Sequence, residues 1–170
     1  MKLSTNKEIK RKKRIVLCGS MSFYPEMLTQ AKILKESGID TVVPISESPY
    51  HLSVSELSFQ VFKRKASMKH IRKIRDNALT FGILVMNLDK HGIPNYIGPN
   101  TFAEIAVAVT HYKKIYLFQG MPAFYRDELV AWDVICLDGD LNRIIKDYWT
   151  AEEQINKQGL QLELFEGNTE

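Results

Sequence analysis

Glu104 is the residue of this chain whose type and setting most suggest chemistry. It stands in FGILVMNLDKHGIPNYIGPNTFAEIAVA, residues 81–108. A short apolar run, 83–86, suits a buried strand and ends in Asn87 and Asp89. A loop with Gly92, Pro94, Gly98 and Pro99 follows, and a helix is expected from Asn100 or Thr101, with Glu104 in its first turn. A strand, a turn-rich loop and a helix that opens on polar groups can hold a sugar or a phosphate. Thr101-Phe-Ala-Glu104 also matches a capping box, in which Thr101 caps and Glu104 returns the bond. Both readings of the carboxylate stand. In a first turn the helix dipole favours its ionised form. Beside the C1′ of a nucleoside, such a carboxylate acts as nucleophile or steadies an oxocarbenium ion.

A second candidate is Cys18-Gly-Ser-Met-Ser22, where a strand passes through Gly19, Ser20, Met21 and Ser22 into a helix. Two hydroxyls at a helix start make an anion site or a plain cap. One glycine instead of three rules out a dinucleotide fingerprint. Asn87 and Asp89 could bond sugar hydroxyls, and a buried Asp89 could hand a proton to a leaving base. Ordinary turn formation explains both equally well. Tyr96 could stack on a base or pack, and His91 is a turn residue before Gly92. His51, His70 and His111 share no ligand spacing, so no metal and no other cofactor is expected.

Five strand-like runs must position these groups: 14–18, 41–45, 83–86, 115–118 and 134–137. Helical patterns separate them. The first starts near Pro25, capped by Ser22 or a neighbour, and stops at Gly38. The second covers 56–77, with Leu57, Val61, Phe62, Met68, Ile71 and Ile74 as an apolar stripe and a possible break at Ser67. A third carries Glu104, a short one spans 125–132, and a last one covers 141–158 with Ile144, Ile145, Tyr148 and Trp149 inward. Residues 46–55 form a loop over the site, and 160–165 alternate weakly, as an added edge strand or a segment wrapping a neighbour would. Alternation of strand and helix predicts an α/β fold, a three-layer flavodoxin-like sandwich with a five-stranded parallel sheet in the order 2-1-3-4-5. Its switch point, between the first and third strands, brings 19–22 beside 87–104.

The 170 residues suffice for one core. The domain is expected over 14–166, between a basic, flexible tail at 1–13 and a disordered 167–170. Seven basic residues against Glu8 alone give the first fourteen positions +6. The whole chain is +3, so the rest is −3. The tail reads as a solvated terminus, and nucleic acid is not the expected partner. The basic residues of 63–75 read first as a solvated face and second as charge that draws an anionic substrate. No apolar run reaches membrane-spanning length and no secretory segment follows the start, so a cytoplasmic protein is expected. Cys18 and Cys136, in apolar runs, are expected as buried free thiols.

IVLCGSMSF and VMNLDKHGIPNYIGPNTFAEIAVA resemble the nucleoside 2-deoxyribosyltransferase-like superfamily, over about 14–140. Its members transfer deoxyribose between bases or cleave the N-glycosidic bond of nucleoside 5′-monophosphates. The resemblance implies a Rossmann-like sandwich and a homo-oligomer whose neighbouring subunit often completes the site. Glu104 falls on the catalytic glutamate. Gly19, Ser20 and Ser22 fall on the turn that holds a 5′-phosphate in the nucleotide hydrolases. Met21 and Phe23 share that motif and are counted with the substrate-binding residues. So are Gly98 and Asn100 in the loop before the glutamate, and Asn87, Tyr96 and Thr101. Two family positions differ. Val16 or Leu17 stands where the better-known enzymes have a tyrosine, and Ile74, with Asp76 nearby, where they have an aspartate. The expected function is N-glycosidic cleavage or transfer on a nucleoside or nucleotide, with Asp89 or a neighbour assisting the base. The alternatives are a nucleotide-binding module without turnover and a glycohydrolase of NAD-like nucleotides.

Overall fold

The structure, a computed structural model, describes residues 12–46 and 55–166. Most of the expected basic tail, most of the loop 46–55 and all of 167–170 lie outside the described residues. Five strands, β1 (Arg14–Gly19), β2 (Asp40–Val42), β3 (Thr80–Met86), β4 (Lys114–Leu117) and β5 (Ile135–Cys136), form one parallel sheet. The order is β2-β1-β3-β4-β5, as the alternating pattern predicts. Five helices, α1 (Tyr24–Glu36), α2 (Glu56–Ile74), α3 (Pro99–Thr110), α4 (Arg126–Ala131) and α5 (Asn142–Glu166), connect and cover it. The protein is therefore a doubly wound α/β sandwich. None of the described helices is long and apolar enough to cross a membrane.

Alternation along each strand divides the core in two. Ile15 and Leu17 of β1 and Leu84 and Met86 of β3 pack with Met27, Leu34, Ile144 and Tyr148 of α1 and α5. Val16, Cys18, Ile83 and Val85 point the other way, onto Ile74, Ile105, Ala108 and Leu129 of α2, α3 and α4. The candidate site belongs to this second layer. Strands buried on both faces explain why the apolar runs are continuous rather than alternating.

Several boundaries differ from expectation, each for a local reason. Ser20, not Ser22, is the capping serine, and it caps a 3-10 turn at Met21–Phe23. Its Oγ accepts the Ser22 N–H at 3.4 Å. α1 then starts after Phe23 with no side-chain cap. Phe23 is buried in the α1 and α5 layer as part of the core, and it lines neither cavity described below. α2 runs unbroken through Ser67. Its Leu57, Val61 and Met68 are exposed, while Ile74 is fully buried, so only the C-terminal part of the expected stripe faces the core. Residues 160–165 do not form an edge strand, because α5 continues to Glu166. Leu, Gln and Glu are good helix formers, and this outweighs the short alternation.

Candidate functional site

α3 begins earlier than its polar residues suggest. Pro99, with its fixed φ and missing N–H, takes the first turn, and Gly98 is the N-cap with no side-chain bond. Thr101 is therefore inside the helix and the capping box does not form. Glu104 stands in the second turn, and the first turn holds no acidic residue. This frees Glu104 from a capping role. Ile105 and Ala108, fully buried against the sheet, hold its helix in place.

Glu104 opens into a cavity of about 100 Å³ at the carboxyl ends of β1 and β2, beside α2 and α3. The lining comes from Gly19 at the end of β1, Pro44 and Ile45 after β2, Lys63, Ser67 and His70 of α2, and Asn100 and Thr101 of α3. Among the described residues on this wall, Glu104 is the only carboxylate. A neighbouring cleft of about 220 Å³ shares Gly19, Met21, Lys63, Asn100 and Thr101, and adds Ser20, Tyr96 and Gly98. The structure thus brings Gly19, Ser20, Met21, Tyr96, Gly98, Asn100, Thr101 and Glu104 to one region at the switch point.

Gly19 is required there by space. A Cβ would lie 2.8 Å from Met27 Cε and 3.0 Å from the Met86 carbonyl oxygen, and its φ is +153°. The strand can therefore pass close to β3 and leave room beyond it. The loop after β3 is fastened to the turn after β1. Lys90 Nζ donates to Ser20 Oγ at 2.8 Å and lies 5.4 Å from the centre of the Tyr96 ring. The Ser20 and Ser22 hydroxyls share a further bond of 2.9 Å.

Four positions that the sequence singles out lie elsewhere or are already engaged. Asp89 is exposed, and its Oδ1 accepts the Asn95 N–H at 2.9 Å, a turn-forming bond; it lines neither cavity. Asn87 is fully buried. Its Nδ2 donates to the Gly120 carbonyl and its Oδ1 accepts the Gln119 N–H, both at 2.8 Å, so it joins the ends of β3 and β4. Ser22 is exposed and lines neither cavity. Asp76 pairs with Arg14 at 3.1 Å, and its Oδ1 accepts the Ala78 and Leu79 N–H groups. It belongs to the amino ends of the strands, opposite the cavity.

His70 is the residue of the candidate site that linear spacing misses. It comes from α2, 52 positions after Cys18, and meets Cys18 and Glu104 under the cavity. Its Nε2 is 3.7 Å from Cys18 Sγ and 3.9 Å from Glu104 Oε1. Cys18 is fully buried, while His70 and Glu104 keep 7% and 17% exposure. Burial pushes the Glu104 carboxyl up to about 7, with a hydrogen bond from Cys18 acting against it. Burial lowers His70 to about 4, partly opposed by a hydrogen bond to the Leu17 backbone. The Cys18 thiol is raised well above the ordinary value, by burial first and then by Glu104. These directions favour an uncharged trio. Near neutrality the carboxyl exchanges its proton readily, in contrast to the firmly ionised group expected at a helix start.

No protein-family model matches the chain, and no curated protein matches it. Among solved structures it aligns with a 2-desoxiribosyltransferase from Leishmania mexicana at 16% identity and a TM-score of 0.41. The alignment covers 64% of this chain and 68% of that one. A likeness at this level carries no argument for chemistry. The fold class rests on the strand order and the two packed layers.

Proposed function

We propose that the protein cleaves or transfers the N-glycosidic bond of a nucleoside or nucleoside 5′-monophosphate, with Glu104 as the catalytic carboxylate. The observation that carries this reading is the opening of Glu104 into a cavity at the carboxyl ends of β1 and β2, free of any capping duty. The superfamily resemblance of the segments around Gly19 and Glu104 supports the choice of a glycosidic bond. The ionised Glu104 attacks C1′ or stabilises positive charge developing there. Water as acceptor gives hydrolysis, and a second base gives transfer. Lys63, which lines both the cavity and the cleft, supplies positive charge for an anionic substrate.

The test is incubation with deoxynucleosides, nucleoside monophosphates and NAD, with chromatographic detection of free base. Release by the wild-type protein and its loss in Glu104→Gln support the reading. Absence of any released base while nucleotide binding is measurable overturns it.

A binding module without turnover is the second reading. It is favoured by the single carboxylate that the described residues bring to the cavity wall, with no second acid among them to assist the leaving base. It requires thermal stabilisation by a nucleotide with no product formed.

A further inference from the structure

Cys18, His70 and Glu104 come from β1, α2 and α3, and they place a thiol, an imidazole and a carboxylate around one point. The three donor atoms all lie within 4.8 Å of one another. We propose that these side chains form a zinc-class divalent cation site, with its fourth position open to the cavity.

The donor set fits the ion. Zinc takes sulfur, imidazole nitrogen and carboxylate oxygen together, and sites with three protein ligands leave a position for water or another molecule. The spacing fits as well. Bonds of about 2.0–2.3 Å at tetrahedral angles put neighbouring donors roughly 3.3–3.6 Å apart. The Sγ–Nε2 and Nε2–Oε1 separations of 3.7 and 3.9 Å need to close by only a few tenths of an ångström. The third edge, from Cys18 Sγ to the Glu104 carboxylate, is within 4.8 Å, and the glutamate is the most exposed of the three side chains. Access exists because His70 and Glu104 line the cavity while Cys18 lies buried beneath it.

Binding would consume the Glu104 carboxylate. On the glycosidic reading proposed above, the ion-loaded protein is then an inactive form, and removal of the ion restores the nucleophile. The ion and the sugar compete for one side chain.

The experiment titrates cobalt(II) into chelator-stripped protein kept reduced by a non-chelating phosphine, and measures zinc affinity by competition with a chromophoric chelator. The expected result is one equivalent bound, with a thiolate-to-cobalt charge-transfer band. Cys18→Ala should abolish the band, and His70→Gln and Glu104→Gln should each weaken zinc binding at least about tenfold. Cys136→Ala, on the half-buried β5 cysteine, should leave the band unchanged. Circular dichroism checks that each variant is folded. Should Cys18→Ala fail to fold, the His70 and Glu104 variants decide. Absence of stoichiometric binding overturns the proposal, and so does a band lost in Cys136→Ala. Tight binding in a protein that turns over no nucleoside even after the ion is stripped sinks the glycosidic reading and leaves the cation site standing. Turnover undiminished at saturating zinc overturns ligation by Glu104.

Discussion

Lys90 Nζ donates to Ser20 Oγ at 2.8 Å, joining the loop after β3 to the turn after β1 across the switch point of the sheet. The two walls of the candidate site are therefore fastened to each other as well as to the strands beneath. Lys90→Met removes the donor and keeps most of the side-chain length. It should cost about 1 kcal/mol, measured by urea unfolding. A loss below the error of the measurement would show that the strands alone hold the turn.

Glu104→Gln keeps the size of the side chain and removes its charge. Turnover of any active nucleoside should fall at least about a thousandfold, while binding of the substrate changes much less. Equal turnover would move the chemistry to another group. A parallel fall in binding and rate would make Glu104 a binding residue only.

Gly19→Ala tests the close passage of β1 over β3. The added methyl group meets Met27 Cε and the Met86 carbonyl, and only the methionine end can give way. The expected cost is about 1–3 kcal/mol in thermal or urea unfolding. A neutral substitution would show that the strand end shifts freely.

Asp147 provides a pH-dependent test far from the cavity. Burial alone would raise its pKa, but bonds from Tyr116 Oη at 3.0 Å and Lys114 Nζ at 3.2 Å, with Arg143 nearby, bring it below the ordinary value. A carboxyl depressed on folding contributes stability above its unfolded pKa and loses it as the pH falls through the folded value. Asp147→Asn should therefore lower stability by about 1–2 kcal/mol at pH 7. The gap from wild type should close as the pH drops below the usual carboxylate range. A constant gap at every pH would rule out the charge as the cause.

The sheet was readable in the sequence because strands buried on both faces leave short apolar runs, and helices of ordinary length separate them. The switch point of such a sheet puts Gly19 near Glu104. The helix edges were less readable. Thr101 and Glu104 carry a cap pattern, yet Pro99 begins the helix earlier, and local patterns do not say which starting signal prevails. Leu57, Val61 and Met68 have apolar types but face outward, because helical spacing does not say how much of a helix overlies the sheet. His70 was hidden for a different reason. Its partners Cys18 and Glu104 lie on other elements, and only the packing of α2 over β1 and α3 brings the three together.

Glu104 has as its immediate chain neighbour Ile105, a fully enclosed side chain wedged against the sheet. A library of variants ranked by catalytic output alone would therefore flag Ile105 as though it touched the reactant. Scoring the same library for melting temperature would separate it from Glu104, because hollowing out the interior lowers both readings and altering the acid lowers only one.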